Sequence, residues 1–489
     1  MIPEVKNALL QLETDMLTAT SLYKQQLGLT HPAFRPSAEN LLHYLTLRKN
    51  DLRPVQEALH NLGLSSLSNS ESHTLFQVRA VLQWLRGAAE LPDFDIVDPG
   101  SAKKKIEEKS IRLFGQKEEV NAGLPERLPY IMVTMDSASA DLDQMCRFLA
   151  EGMTVARINC AHDDEDTWAE MIKTLKKAMA TTGKPCRIYM DLAGPKLRTG
   201  LPGKGREKGK IHLKDGQKVL LVEPDFKASE KQRVISCSIK GIVSQLELGQ
   251  KVLFDDGLIS TVVEKIGKSG ALLRVERVSG KKPYLKSSKG INFPDANLMI
   301  ESLTADDRKA LPFICRESDI VGYSFVRTVD DLKALQEALD QLSDAPPSIV
   351  IKVETPEAFR NLPHLLLQGM VKQSLGVMIA RGDLAVEVGF ERMSELQEEI
   401  LWICEAAHVP VIWATQVLEN LNKTGVATRS EATDAARSFM AECVMINKGT
   451  HTVEVIRMLK DILRRTGGHR IKRRHIFRPL AVADNFFKN

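Results

Sequence analysis

Across residues 51–63 apolar side chains recur with a helical period: Val55, Ala58, Leu59 and Leu62 fall at i, i+3, i+4 and i+7. Pro54 suits the first turn of such a helix and Gly63 its stop. A second amphipathic run carries Leu75, Val78, Leu82 and Leu85 and ends at Gly87. Residues 1–90 therefore read as a helical region, suited to docking or self-association. Residues 91–127 lose that period. PDFDIVDPGSAKKKIEEKS is dense in charge and broken by Pro and Gly, the composition of a linker, and its Lys103–Lys105 run reads as solvated.

From Leu128 onward, short β-branched runs alternate with amphipathic helical stretches. The candidate strands are YIMVT (130–134), VARIN (155–159), RIYMD (187–191), DIVGYSF (319–325), SIVIKVE (348–354), GVMIARGD (376–383), VPVIWATQ (409–416) and ECVMIN (442–447). Eight such units predict a closed parallel (β/α)8 barrel, an α/β fold, with polar residues gathered at the C-terminal ends of its strands. The barrel would occupy residues 128–200 and 301–465. Residues 201–300 between them alternate as β-structure (KVLLVEP, RVISCSI, KVLFDDGLISTVVEKI, ALLRVERV) and predict a small inserted β-barrel lid over the mouth. GKGREKG (203–209) approximates a dinucleotide fingerprint, but its last Gly is one residue late and no helix follows, so a surface turn is expected. Residues 466–489 form a basic tail, expected to be solvated.

Composition narrows the class. Hydrophobic residues make up 43% and charged residues 27% of the 489, ordinary for a globular chain. A net charge of +4 gives no reason to expect nucleic acid binding. The seven cysteines form no CxxC pair, which favours free thiols in a reducing compartment. The N-terminus has no signal-peptide core and no apolar run reaches the ~18 residues of a spanning helix, so a cytoplasmic, membrane-free protein is expected.

The chemistry sits at strand ends. In IKVE, residues two apart share a face, so Lys352 and Glu354 point together into the barrel. The next strand ends in ARGD, placing Asp383 beside Glu354. Two carboxylates there suit a hard cation, Mg²⁺ or Mn²⁺, or else belong to a structural ion-pair ring. Arg157 and Asn159 share a face of VARINCAH, with His162 just beyond. Arg198 and Arg327 add cations, and such a rim suggests phosphoryl chemistry, in which catalysis is mostly positioning and charge neutralisation. In MDLAGPKLRTG, Asp191 precedes a Gly-Pro turn and Lys196 and Arg198 follow it, a place to hold an ion or a phosphate.

Together these segments resemble the pyruvate kinase family. MDLAGPKLRTG is similar to that family's Asp-Thr-Lys-Gly-Pro-Glu-x-Arg-Thr-Gly, and VARINCAH to its Ala-Arg-x-Asn-Phe-Ser-His. FDDGLIS and SSKGINFP resemble its lid; SFVR, IKVE, VMIARGDLAVEV, VIWATQVLE and TRSEATD resemble its barrel, from about Leu128 to Lys460. The resemblance implies that Glu354 and Asp383 hold Mg²⁺ or Mn²⁺ and that Lys352 stabilises the developing enolate. It implies that Arg157 contacts the transferring phosphoryl, that Thr415 lies near the protonated carbon, and that backbone at Gly382 and Asp383 cradles the substrate carboxylate. Asn159, His162 and Arg198 would face the nucleotide and its phosphates, with Asp256 and Lys289 on the lid. Phosphoenolpyruvate and ADP, or pyruvate and ATP, would be the ligands, in a glycolytic step. Partners through the N-terminal helices, or a homo-oligomer, are also expected.

The chain departs from the pattern in four places. The first strand ends Thr-Met-Asp-Ser-Ala-Ser instead of Thr-x-Gly-Pro-Ala-Ser, putting Asp136 near the expected nucleotide site. Ala193 replaces a lysine. INKGTHT (446–452) replaces Ser-Gly-Glu-Thr-Ala, and the C-terminal regulatory domain of many members has no counterpart, so control through it is not expected. In potassium-dependent members K⁺ sits among oxygens of these motifs. Ala161 stands where a Ser hydroxyl is needed, and Lys196 stands where those members have Glu, as in the potassium-independent branch; no K⁺ requirement is expected. A binding pseudoenzyme, or a metal-dependent pyruvate-enolate lyase or aldolase, are the alternatives to a phosphotransferase.

Overall fold

The computed structural model describes residues 2–116, 128–137, 141–201, 209–227, 233–280, 284–372, 374–467, 470–471 and 474–475. Most of the GKGREKG turn and of the basic tail lie outside these described residues. Eight parallel strands close a barrel: Tyr130–Thr134, Val155–Asn159, Arg187–Asp191, Ile320–Tyr323, Ser348–Val353, Leu375–Ala380, Val411–Ala414 and Cys443–Ile446. The first strand pairs with both the second and the eighth, in register at Met132↔Val155 and Val133↔Ile446. Nearly every strand residue is buried, because helices cover the outside and side chains fill the inside. One strand end differs from expectation. The sixth strand stops at Ala380, and Arg381, Gly382 and Asp383 open the helix Arg381–Val388, so Asp383 lies on a helix's first turn.

The inserted segment forms a seven-stranded sheet, with a separate two-stranded ribbon beside it. The edge strands Thr199–Gly200 and Ile291–Asn292 are joined by a bridge between Arg198 and Gly290. Ile291 N donates to Leu197 O at 2.9 Å and Thr199 N to Lys289 O at 2.7 Å, which closes the sheet on itself as expected of a small barrel. Its apolar core, including Val219, Leu221, Phe254, Val263 and Leu273, is separate from that of the large barrel.

The region read as a linker departs most. Pro99–Phe114 is a helix, started by Asp98, whose carboxylate accepts from Gly100 N and Ser101 N while Ser101 Oγ accepts from Asp98 N. Its buried positions are Ala102, Lys109, Ser110, Leu113 and Phe114. Leu113 and Phe114 pack with Tyr130, Met132, Val155, Tyr189, Ile320, Val350, Met378 and Ile412, plugging the barrel interior from its N-terminal end. The Tyr130 hydroxyl donates to Gly115 O at 2.9 Å and anchors the plug.

The N-terminal helices dock on the flank of the same barrel. Leu9, Met16, Phe34, Leu41, Leu59 and Leu82 belong to one apolar cluster with the barrel's outer layer. Asn40 Nδ2 donates to Ala406 O at 2.8 Å, and Arg48 lies over the Trp402 ring at 4.7 Å. His408 Nε2 meets Ser72 O at 2.8 Å, so it carries the proton there, and Nδ1 faces Ser37 Oγ at 3.0 Å. Ser37 Oγ also accepts from Lys109 at 2.6 Å, tying plug, module and barrel together.

Phe114→Ala should leave a cavity at the plugged end and lower unfolding free energy by about 3–5 kcal/mol. Urea denaturation followed by circular dichroism measures it; a loss below about 1 kcal/mol would show that the helix is not part of the barrel core.

Candidate functional site

The C-terminal mouth of the barrel holds a buried cluster of two cations and two carboxylates. Strand alternation turns Arg157, Asp191 and Lys352 inward at one level. Asp191, 1% exposed, accepts at Oδ2 from Arg157 Nε (3.0 Å) and Nη2 (2.5 Å), and Lys352 Nζ lies 3.2 Å away. Lys352 Nζ also meets Glu354 Oε1 at 2.9 Å and donates to Ser324 Oγ at 2.7 Å. Ser324 passes its own proton to Leu192 O at 2.6 Å. The remaining oxygen of Glu354 accepts from Phe325 N at 2.6 Å. Phe325 adopts φ 55°, a left-handed conformation that costs an aromatic residue energy.

Charge decides the protonation states. Burial alone would raise the Asp191 carboxyl, but Lys352 and Arg157 outweigh it and hold it below the ordinary range. For Glu354 burial wins: its carboxyl is pushed up, Lys352 opposes, and Asp383 adds to the rise. Glu354 is thus a carboxylate that gains from a further cation. Asp191 does not face Lys196 and Arg198, as the motif alone suggested. The turn after Asp191 carries both past it, and its inward direction brings it to Arg157 and Lys352 instead.

Lys196 reaches Asp383, with Nζ 2.8 and 3.0 Å from the two carboxylate oxygens. Lys289 pairs with Asp255 at 2.9 Å, and the Arg198 guanidinium donates to Ser288 O at 3.2 Å. A cavity of about 400 Å³ lies between barrel and lid. Arg157, Asn159, His162, Lys196, Arg198, Asp256, Lys289, Lys352, Glu354, Gly382, Asp383 and Thr415 all line it. Arg327 does not; its guanidinium donates to Leu298 O at 2.7 Å.

Thr415 has φ 71°, strained for a β-branched residue. Arg381 holds it there. Its guanidinium donates to Ala414 O (2.8 Å) and Thr415 O (2.5 Å), pairs with Asp434, and stacks over Trp413 at 4.5 Å. Gly382 is required beside it, since a Cβ there would stand 2.9 Å from Thr415 Cγ2. The Arg381–Asp434 clamp, Ser324 and the Phe325 amide carried no sequence signal of their own. Only their neighbours in the motifs pointed to them.

Among the described residues no group of three or more His, Cys, Asp or Glu forms a metal cage. Glu354 and Asp383 are hard oxygen donors on adjacent elements beside open cavity. That set fits Mg²⁺ or Mn²⁺, which bind through one or two carboxylates and complete their shells with water and substrate oxygens. It does not fit a soft or tetrahedral metal.

The family model described as "Pyruvate kinase, barrel domain" matches residues 127–454. The pyruvate kinase of Geobacillus stearothermophilus is 30% identical over 348 residues, 70% of this chain and 57% of that protein. Human pyruvate kinase PKLR is 31% identical over 347 residues, 68% of this chain and 59% of that protein. The pyruvate kinase of Thermococcus litoralis is 31% identical over 355 residues, 71% of each. The match thus spans under three-fifths of the length of the first two relatives.

Lid and barrel also meet at Glu387, which accepts from Asn292 Nδ2 at 2.7 Å. Burial pushes the Glu387 carboxyl up to about 7. With its folded pKa raised, its contribution is fully present below the ordinary value near 4.5 and is lost as pH rises through 7. Glu387→Gln keeps an acceptor without the charge. Compared by urea midpoint, the variant should match the wild type at pH 4 and exceed it at pH 8 by on the order of 3 kcal/mol. An equal offset at both pH values would contradict the assignment.

Proposed function

Because the chain belongs to the pyruvate kinase family, we propose that it transfers phosphoryl between phosphoenolpyruvate and ADP, giving pyruvate and ATP, with Mg²⁺ or Mn²⁺ and without K⁺. The observation that carries this reading is the buried cluster of Arg157, Lys352, Asp191 and Glu354 opening into the lid-covered cavity. Such a cluster offers fixed positive charge where an enolate oxygen and a phosphoryl group must be stabilised.

In this reaction the bond from phosphorus to the enol oxygen breaks, a β-phosphate oxygen of ADP forms the new bond, and the enolate takes a proton at carbon. Arg157 orients the phosphoryl group, its guanidinium already fixed by Asp191. Lys352 neutralises the oxygen left behind. Glu354 and Asp383 would hold the divalent ion, which supplies charge neutralisation for the phosphoryl and carboxylate oxygens. Asp383 must first leave Lys196, and that exchange keeps the ammonium near the phosphate side. The backbone at Gly382 and Asp383 receives the substrate carboxylate, and Thr415 lies on the face where the carbon is protonated. Asn159, His162 and Arg198 face the nucleotide, and the lid with Asp256 and Lys289 closes to exclude water. A cytoplasmic setting accords with these metabolites.

Potassium independence follows from the same charges. Asp191, which would ligate K⁺, is already taken by two cations. Lys196 supplies a tethered positive charge, and Ala161 offers no hydroxyl.

A coupled assay for pyruvate, run over a panel of nucleoside diphosphates, tests the function directly. Turnover with ADP should be equal in sodium and potassium chloride at matched ionic strength. A large stimulation by K⁺ would refute the role given to Lys196, and no turnover with any diphosphate would refute the phosphotransferase.

The metal assignment is tested apart from activity. Glu354→Ala should weaken Mn²⁺ binding, read by water-proton relaxation, by about tenfold or more, since one of two carboxylates is lost. Wild-type affinity in that variant would remove Glu354 from the metal site.

A further inference from the structure

Two of the departures from the family pattern, Asp136 and Lys448, meet in space. The first and eighth strands are neighbours, in register at Val133↔Ile446, so the segments after them rise side by side. Lys448 Nζ comes within 3.9 Å of the Asp136 carboxylate. Asp136 lies in the altered end of the first strand and Lys448 in the INKGTHT stretch, and the two charges are opposite.

The backbone beneath Lys448 is held firmly. Asn422, 1% exposed, donates to Asn447 O at 2.7 Å. Thr452 Oγ1 bridges to Asn422 Oδ1 (3.1 Å) and Gly449 O (3.0 Å). A Cβ at Gly449 would stand 2.3 Å from the Asn422 side chain, so glycine is needed for this approach. What remains free to move is the lysine side chain, which is 55% exposed against 24% for Asp136. Its neighbour Asn447 lines the cavity, together with His162 and Arg198. Lys448 is close enough to His162 that, after burial, its charge is the largest influence holding that imidazole below its usual range.

We propose that Lys448 is a binding residue for the diphosphate of the nucleotide: it rests against Asp136 and swings to the nucleotide's phosphate chain when that ligand enters. This rests on the phosphotransferase reading of the same cavity. A long, solvated ion pair is a weak hold. A diphosphate carries more charge and offers several oxygens for short charge-assisted hydrogen bonds, so the exchange favours the ligand.

Calorimetric titration of the full chain with ADP in Mg²⁺ tests this, with phosphoenolpyruvate titrated in parallel. Lys448→Ala should weaken ADP binding roughly fivefold to tenfold, the scale of one partly exposed charge-assisted contact, and leave phosphoenolpyruvate affinity unchanged. Asp136→Asn should tighten ADP binding about twofold, since the lysine loses its resting partner. Equal ADP affinity in wild type and Lys448→Ala would overturn the inference and leave the phosphotransferase standing. Equal weakening of both ligands would overturn it too, showing only a general field. No ADP binding by the wild type would overturn the phosphotransferase reading, and this inference with it.

Discussion

Everything at the barrel mouth depends on how Asp191 shares its carboxylate between Arg157 and Lys352. Charged groups cannot be taken from water singly; each must be matched in place, and removing one leaves its partner as an uncompensated buried charge. The cluster is matched, two cations against Asp191 and Glu354; the second oxygen of Glu354 accepts from the Phe325 amide and Lys352 donates to Ser324. The conditions for that match are structural. The barrel must close so that second, third and fifth strands present their ends at one level, and the plug of Leu113 and Phe114 must keep water from the other end.

Around this fixed centre the charges grow progressively freer. Lys196 and Asp383 are partly exposed, and Lys289 with Asp255 lies on the lid. Lys448 and Asp136 stand at the rim. The gradient separates tasks. In the proposed reaction the groups that would stabilise a transient anion are preorganised and dry, where they act strongly and need no rearrangement. Those that would receive ligands are held loosely enough to exchange partners. Thr415 is held as firmly: its strained backbone persists because Arg381, anchored on Asp434 and Trp413, overdetermines it.

The barrel was legible in the sequence because strands buried on both faces read as continuous apolar runs, and the first three strands have the bounds expected of them. Lys352 beside Glu354 followed from strand periodicity alone. What escaped the sequence did so for physical reasons. The helix Pro99–Phe114 hides its buried face behind KKK and EEK, and its burial of Lys109 and Ser110 looks polar to any periodicity count. Asp383 was expected at a strand end because ARGD continues an apolar run, yet the chain turns helical at Arg381. The meeting of Asp136 with Lys448, and of Arg381 with Asp434, depends on closure and on loop paths. No local pattern encodes those.

The central claim is that Lys352, fixed by Asp191 and Glu354, stabilises an enolate in this cavity. Proton exchange at the methyl group of pyruvate reads that step without any nucleotide. Pyruvate incubated with the protein and Mg²⁺ in deuterium oxide, with inorganic phosphate present, can be followed by proton NMR. Loss of the methyl signal is expected with wild-type protein and none above background with Lys352→Met of the same fold and metal affinity. Equal exchange by both proteins would contradict it, and so would its absence from the wild type.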